Sequence, residues 1–210
     1  MAASYDKKYF LTQLAALSPL IDDIRRMIAA LRRAFNRSDL AELEALPKLQ
    51  DQITLDLDEL FEEVELAQAD PGQADNPYLQ RLLGIFGHLE HIANEAGLLA
   101  DPIARKIKGS IIIPDKDFFH MNDLFIHVFG LLRGLADLCH TVNPPLRRYL
   151  LGEVEHIKEH CFQAATAHET TMTHSFGHPQ AFSLYFEIMD RLKRLLDHLA
   201  AMVQLLSKKF

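Results

Sequence analysis

The chain is poor in cysteine, since its 210 residues include only Cys139 and Cys161. Two thiols cannot build the framework of several disulfides that stabilises small secreted domains, so that class is excluded. Both cysteines fall on apolar helix faces, and we expect them to be reduced core residues. The first ten residues lack the basic-then-apolar pattern of a secretion signal. These features predict a cytoplasmic protein.

Positive charge is also in short supply, with 22 Lys and Arg against 29 Asp and Glu and a net charge of −7. A protein that binds nucleic-acid phosphates needs clustered Lys and Arg, so the balance argues against a nucleic-acid partner. No apolar run approaches the roughly 20 residues needed to cross a bilayer. We therefore expect no transmembrane segment, and any contact with a membrane to be made through a partner protein.

What the chain does contain is an internal repeat. Seven apolar residues, spaced alternately three and four apart, recur 104 positions later and are apolar again at every position. The two series are Leu14, Leu17, Ile21, Ile24, Ile28, Leu31 and Phe35, and Phe118, Met121, Phe125, Val128, Leu132, Leu135 and Cys139. A further series, from Leu79 to Ala100, recurs at an offset of 103 from Phe182 to Val203. This spacing keeps side chains on one helical face, and two series with nearly one offset indicate a duplicated helical unit.

Each copy of the unit is predicted to contain three helices. The expected helices cover about residues 6–36, 38–69 and 76–101 in the first copy, and 117–141, 144–167 and 180–208 in the second. We expect Pro19 to kink or restart the first helix, and Ser38 and Asn76 to cap the next two. The predicted fold is all-α: two tandem three-helix bundles, a first repeat (residues 1–107) and a second repeat (residues 108–210), able to pack as one elongated domain.

The third helix of each repeat carries a short motif. The segment HLEHIANEAGLLA, residues 88–100, aligns with RLKRLLDHLAAMV, residues 191–203. Glu90 and Asn94 are four residues apart and share a helix face, and their counterparts are Lys193 and Asp197. With this motif position, its two three-helix repeats and its length, the chain resembles the PhoU family of cytoplasmic regulators of phosphate uptake. That family carries a motif like LERIGD-x-A-x-N-I on its third and sixth helices.

The resemblance implies a function and its partners. It implies a regulatory adaptor, not an enzyme, that contacts a phosphate transporter subunit or a sensor kinase and can form a homodimer. In the family, the Glu-x-x-x-Asp carboxylates of the motif point into the bundle groove and bind metal ions. The resemblance therefore implies divalent or iron ions at Glu90 and Asn94, with Asp51 and Asp58 of the acidic second helix lining the groove, and at Asp197 in the second repeat.

The chain departs from the family motif at two positions. Asn94 stands where an Asp is expected, which leaves a neutral oxygen as the ligand. Lys193 stands where a Glu is expected, and its ammonium would repel a cation or form an ion pair with Asp197. The second of these motifs is therefore the less suited to metal.

The fifth helix offers an alternative metal site from its residues alone. His156 and His160 are four residues apart and can chelate a transition metal. Glu153-x-x-His156 is one Glu-x-x-His unit of a ferritin-like di-iron site, which needs a second such unit that the sequence does not contain. The letters HIKEH also match the inverted zinc-protease motif, which belongs to much larger chains. The alternative function is thus a ferritin-like or other di-metal helical-bundle enzyme centred on Glu153, His156 and His160.

Further histidines extend this alternative. His168, His174 and His178 follow in the next loop and can add ligands to it. Apart from this site, His120 and His127 are seven residues apart on the fourth helix and can join a groove. A polar, solvated helix face explains the same residues. A helical module that serves only oligomerisation is the third hypothesis.

Overall fold

The computed structural model describes residues 5–172 and 179–206 of the chain, and the described part contains helices and no β-strand. The helices are α1 (Lys7–Ala16), α2 (Ser18–Arg37), α3 (Leu46–Gln68), α4 (Pro77–Leu98), α5 (Ala100–Lys108), α6 (Asp115–Thr141), α7 (Pro144–Met172) and α8 (Pro179–Leu205), with a 3₁₀-helix at Leu40–Leu43. α1 with α2, and α4 with α5, each form one rod broken once. The described helices therefore make six rods, three in each repeat, as the sequence predicts.

Prolines and side-chain caps fix several helix starts as expected. The first rod breaks at Leu17, and Pro19 lies in the first turn of α2, where its missing N–H costs little. The Asn76 side chain accepts hydrogen bonds from the backbone N–H groups of Tyr78 and Leu79 and so caps α4. Asn76 is the cap that the sequence predicts.

The expected start of the second helix at Ser38 is wrong. Ser38 has φ 53° and ψ 42°, a left-handed conformation that ends α2. The carboxylate of Asp39 then accepts from the N–H of Ala41 to cap the short 3₁₀-helix, and α3 begins at Leu46 with Pro47 in its first turn. Ser38 is instead a helix-ending residue because its backbone cannot enter the next helix from that conformation. The hydroxyl oxygen of Ser38 accepts a hydrogen bond from Lys106 Nζ at 3.0 Å.

Equivalent helices of the two repeats pack against each other. α2 lies antiparallel to α6, with Phe35 stacked on Phe118 at 5.3 Å and the Arg25 guanidinium 4.6 Å from the centre of the Phe129 ring. α4 lies antiparallel to α8 in the same way, and α3 and α7 pack on α4 and α8 respectively. The internal repeat in the sequence is therefore a repeat in the packing.

The predicted apolar stripes form one continuous core. All seven residues of the first stripe are buried, and so are six of the seven in its counterpart from Met121 to Cys139. Cys139 and Cys161 are buried free thiols, as expected. The core joins α2 and α4 to α6 and α8, so burial alone does not divide the chain, and the division between residues 107 and 108 stays a prediction.

Two features of α6 concern close packing and hydropathy. A Cβ on Gly134 would lie 2.7 Å from Leu150 Cδ2, so this glycine allows α7 to approach α6 closely. By length and hydropathy, α6 is the one described helix able to cross a membrane, with half of the critical stretch buried in the protein. Buried core helices pass the same test, so this is weak evidence for a membrane span.

Candidate functional site

The motif in the first repeat lies on the surface where α3 meets α4. Glu90 is exposed, and the half-buried Asn94 accepts a hydrogen bond from Gln50 Nε2 of α3 at 3.3 Å. A Cβ on Gly97 would collide with Gln50 Oε1, so this glycine makes room for the Gln50 side chain across α4. The groove is therefore bridged by a pair of neutral amides.

The acidic residues chosen from α3 do not join this amide pair. Asp51 and Asp58 share a face of α3, and both are exposed to solvent. A hard cation such as Mg²⁺ or Ca²⁺ needs several oxygen ligands converging on one point. The geometry gives no support to a metal ion held by Glu90, Asn94, Asp51 and Asp58, and metal binding there stays a prediction.

The motif in the second repeat contains an ion pair between helices. Asp197 Oδ1 of α8 lies 2.8 Å from Lys158 Nζ of α7, rather than being satisfied by Lys193 of its own helix as the sequence suggests. The ammonium group of Lys158 thus occupies the position beside the carboxylate that a metal ion would need. Hydrogen bonding to Asp197 raises the pKa of Lys158 above its usual value, which keeps the ammonium charged. This ion pair gives no support to a metal ion at Asp197, and metal binding there stays a prediction.

Four histidines meet in a cleft between α6 and α7, which we call the histidine cleft. It has a volume of about 190 Å³ and is lined by His120, Asp123, Leu124, His127, His156, Ile157 and His160. The rings of His156 and His160 lie with their centres 4.2 Å apart. The structure thus brings His156 and His160 of α7, the predicted fifth helix, together with two histidines of α6, the predicted fourth helix. It also adds Asp123, which was not predicted as a site residue. The spacing 120, 123, 127 along one helix face was the signal for it.

Glu153 has a different place from the one predicted for it. Glu153 Oε1 lies 3.0 Å from His127 Nδ1, so the carboxylate contacts a histidine of the neighbouring helix. His120 Nδ1 lies 2.6 Å from the hydroxyl oxygen of Tyr185 on α8. Glu153 therefore orients an imidazole at the edge of the cleft, and His120 is tied to α8.

A second group of histidines lies between α4 and α8. His88 Nδ1 and His198 Nδ1 are 3.2 Å apart, and the ring of His91 stacks on that of His198 at 4.5 Å. Burial lowers the pKa of both His88 and His198, and the neighbouring imidazoles lower it further. Both shifts favour the neutral form of His88 and of His198. The contact between His198 and His88 is not predicted by the sequence pattern, because it depends on how α4 and α8 are aligned.

A third surface, which we call the arginine groove, lies between α2 and α6. It has a volume of about 400 Å³ and is lined by Ile28, Ala29, Arg32, Arg33, Asn36, Arg37, Phe125, Ile126 and Phe129. Arg32 Nε donates to Asn122 Oδ1 at 2.8 Å, whereas Arg33 and Arg37 both contact Glu42. Two of the three arginines share one carboxylate and the third bonds a neutral amide, which leaves an excess of positive charge beside apolar side chains. Arg32, Arg33 and Arg37 are close together in the sequence, and this cluster was the signal for a basic groove. The groove was not predicted.

A metal ion in any of these grooves or clefts requires several ligand side chains that converge on one point. Within residues 5–172 and 179–206, no group of three or more His, Cys, Asp or Glu side chains is placed to hold a metal ion. A ferritin-like di-metal centre needs six such ligands, so that alternative lacks structural support in the described residues. The predicted extra ligands His174 and His178 lie outside the described residues, as does the side chain of His168.

Comparison with known proteins identifies the fold. The structure matches PhoU from Pseudomonas aeruginosa with a TM-score of 0.78 and 17% sequence identity, over 95% of this chain and 94% of that one. It matches the phosphate transport system regulatory protein PhoU from Streptococcus pneumoniae with a TM-score of 0.78 and 13% identity, over 97% and 95% of the two chains. No protein-family model matches the sequence, and no curated protein matches it. The chain therefore has the PhoU fold, as the resemblance implied.

Proposed function

We propose that this chain is a regulatory adaptor of phosphate transport that acts by protein–protein contact. The observation that supports this function is the likeness to two PhoU structures along nearly the whole length of all three chains. The match includes both repeats, so what is shared is the complete bundle and not one common helical hairpin. The proposal involves no bond-making step.

The arginine groove is the surface that we assign to the partner. The chain carries a net charge of −7, yet this groove collects three arginines around Phe125, Ile126 and Phe129. Charge complementarity favours a partner segment that presents carboxylates beside an apolar side chain. Ile126 and Phe129 are 44% and 37% exposed, which leaves apolar surface for such a segment to cover. The partner would be a cytoplasmic part of a phosphate transporter or of a sensor kinase.

The experiment is co-purification from cells that express the chain at its natural level. We expect a phosphate transporter subunit or a sensor kinase to co-purify, and phosphate uptake to change when the gene is deleted. Arg32→Glu and Ile126→Glu in the arginine groove should each weaken the association. Phe162→Glu is the matched control, because Phe162 is 65% exposed on α7 and lies outside the groove.

The results distinguish the proposed adaptor function from the assignment of the arginine groove as the binding surface. If neither partner co-purifies and deletion leaves phosphate uptake unchanged, the proposed function is wrong. If the partner is retained equally by all three variants, the function stands and the assignment of the groove is wrong. Cytoplasmic location, homodimer formation and modulation by metal at Glu90 and Asn94 stay predictions of the family resemblance.

A further inference from the structure

The histidine cleft has no part in the proposed adaptor function, and its chemistry calls for an explanation of its own. It places four imidazoles and the carboxylate of Asp123 around about 190 Å³ of open space between two helices. Imidazole is the preferred nitrogen ligand for zinc and for the neighbouring divalent transition metals. We propose that the histidine cleft binds one divalent transition-metal ion of the zinc class through His127, His156 and His160, with Asp123 or water as the fourth ligand.

The histidine pair on α7 supplies two of the three nitrogen ligands. His156 and His160 are four residues apart, so both side chains project from one helix face, and their ring centres are 4.2 Å apart. Two imidazoles at this spacing can bind the same ion without any change in the helix. Ile157, beside them, is buried against the core and fixes the rotation of α7 about its own axis. The pair is therefore held facing α6.

The third nitrogen ligand is His127, which has a defined orientation. An ionised carboxylate only accepts hydrogen bonds, so the 3.0 Å contact with Glu153 Oε1 places the proton of His127 on Nδ1. The lone pair of the neutral ring is then on Nε2, the nitrogen available for a metal ion. A carboxylate that holds a ligating histidine in this way is the usual outer partner of zinc-bound imidazole. Glu153 is therefore a positioning residue and not a ligand.

Metal binding requires a movement of these side chains. Three ligands do not yet converge in the described residues, so the rings must turn toward one another. His127, His156 and His160 are exposed, and exposed side chains change rotamer readily. His120 is left out of the ligand set because its Nδ1 contacts the Tyr185 hydroxyl at 2.6 Å and its Nε2 is buried, whereas His127 is exposed. Binding would then link α6 to α7 without disturbing the core.

The experiment uses the full chain without an affinity tag, because a polyhistidine tag would itself bind zinc. Isothermal titration with zinc should give one equivalent bound per chain, and cobalt should give the intense visible absorption of a tetrahedral site. His156→Ala with His160→Ala should weaken zinc binding by about 100-fold or more. Glu153→Gln should weaken it by about 10- to 100-fold, the range measured for outer partners of metal ligands. Circular dichroism checks that each variant is folded.

Matched controls come from the other histidines of the same chain. His88→Ala with His198→Ala removes two imidazoles between α4 and α8 and should leave zinc affinity unchanged. Replacing His168, His174 and His178 by Ala should also leave it unchanged. The proposal is overturned if zinc does not bind with one-to-one stoichiometry, if either control set abolishes binding, or if the folded Glu153→Gln and His156→Ala/His160→Ala variants bind zinc as tightly as the unchanged chain.

Discussion

The histidine cleft and its counterpart in the first repeat have equivalent helices but different chemistry. At the offset of 104, His127, His156 and His160 correspond to Asp23, Gln52 and Asp56. In the first repeat Gln52 Nε2 donates to Asp56 Oδ1 at 2.7 Å, so the equivalent pair on α3 is a simple hydrogen bond. The apolar stripe is shared by the repeats, whereas the polar faces are not. The stripe determines the fold, and the polar faces determine what each repeat can bind.

The seam between α4 and α8 shows the same difference. At the offset of 103, His88 corresponds to Arg191 and Glu95 to His198. The two symmetry-related contacts are thus an imidazole pair, His88 with His198 at 3.2 Å, and an ion pair, Arg191 with Glu95 at 3.5 Å. Equivalent places in the packing therefore hold different polar pairs, one neutral and one charged.

The largest difference between the repeats is expected in the core. Phe35 and Cys139 are counterparts, and both are buried, but Phe35 also stacks on Phe118. Phe35→Ala should lower the free energy of unfolding by about 3–5 kcal/mol, because it leaves a large cavity. Cys139→Ala removes only one sulfur and should cost roughly 1 kcal/mol. Urea denaturation of the two variants measures both values, and equal losses would contradict this account of the stripe.

The next largest effect comes from giving the second repeat the polar pair of the first. His156→Gln with His160→Asp should keep the fold, because both positions are exposed. The unchanged chain should gain about 2.7 kcal/mol of stability when free zinc is 100 times its dissociation constant, and the swapped chain should gain far less. Thermal unfolding with and without zinc measures the gain. An equal shift in melting temperature for the two chains would show that the cleft histidines do not bind the metal.

A smaller effect is expected at alkaline pH and belongs to the second repeat alone, since Phe35 does not ionise. Burial raises the pKa of the Cys139 thiol to about 12, whereas the thiol of an unfolded chain ionises near pH 9. The unfolded state therefore loses its proton first, so this contribution to stability is present below pH 9 and is lost as the pH rises from 9 to 12. The loss should be about 1.4 kcal/mol per pH unit in that window. Urea denaturation at pH 8 and pH 10 should show a steeper decline for the unchanged chain than for Cys139→Ala, and parallel declines would contradict the assignment.

The sequence was sufficient for the fold because the apolar spacing is regular. The stripe from Leu14 to Phe35 repeats every three or four residues, which specifies a helix and its buried face. The prediction from sequence was wrong at Ser38, because a serine fits either the cap at the start of a helix or a left-handed helix end. Backbone conformation decided between the two, and composition does not encode it.

The sequence was insufficient for the site because contacts between helices depend on their alignment. The pattern showed that His156 and His160 share a face, but not that Glu153 would meet His127 across the cleft. In the same way, Asp197 had an apparent partner four residues away in Lys193, and its actual partner is Lys158 on another helix. Periodicity gives the face of a helix, whereas the partner of that face is set by packing.

The smallest expected difference lies in the two motif grooves. Lys158 and Asp197 form an ion pair with side chains that are 33% and 56% exposed, whereas Gln50 and Asn94 in the first repeat form a neutral hydrogen bond. Exposed ion pairs contribute about 0.2–1 kcal/mol and are screened by salt. Lys158→Met should therefore lower the free energy of unfolding by less than about 1 kcal/mol at low salt, and this loss should shrink in 1 M NaCl. Gln50→Leu is the matched variant of the neutral pair, and its effect should not depend on salt. A loss that is the same at both salt concentrations for Lys158→Met would mean that the lysine stabilises the groove through the packing of its alkyl chain and not through its charge.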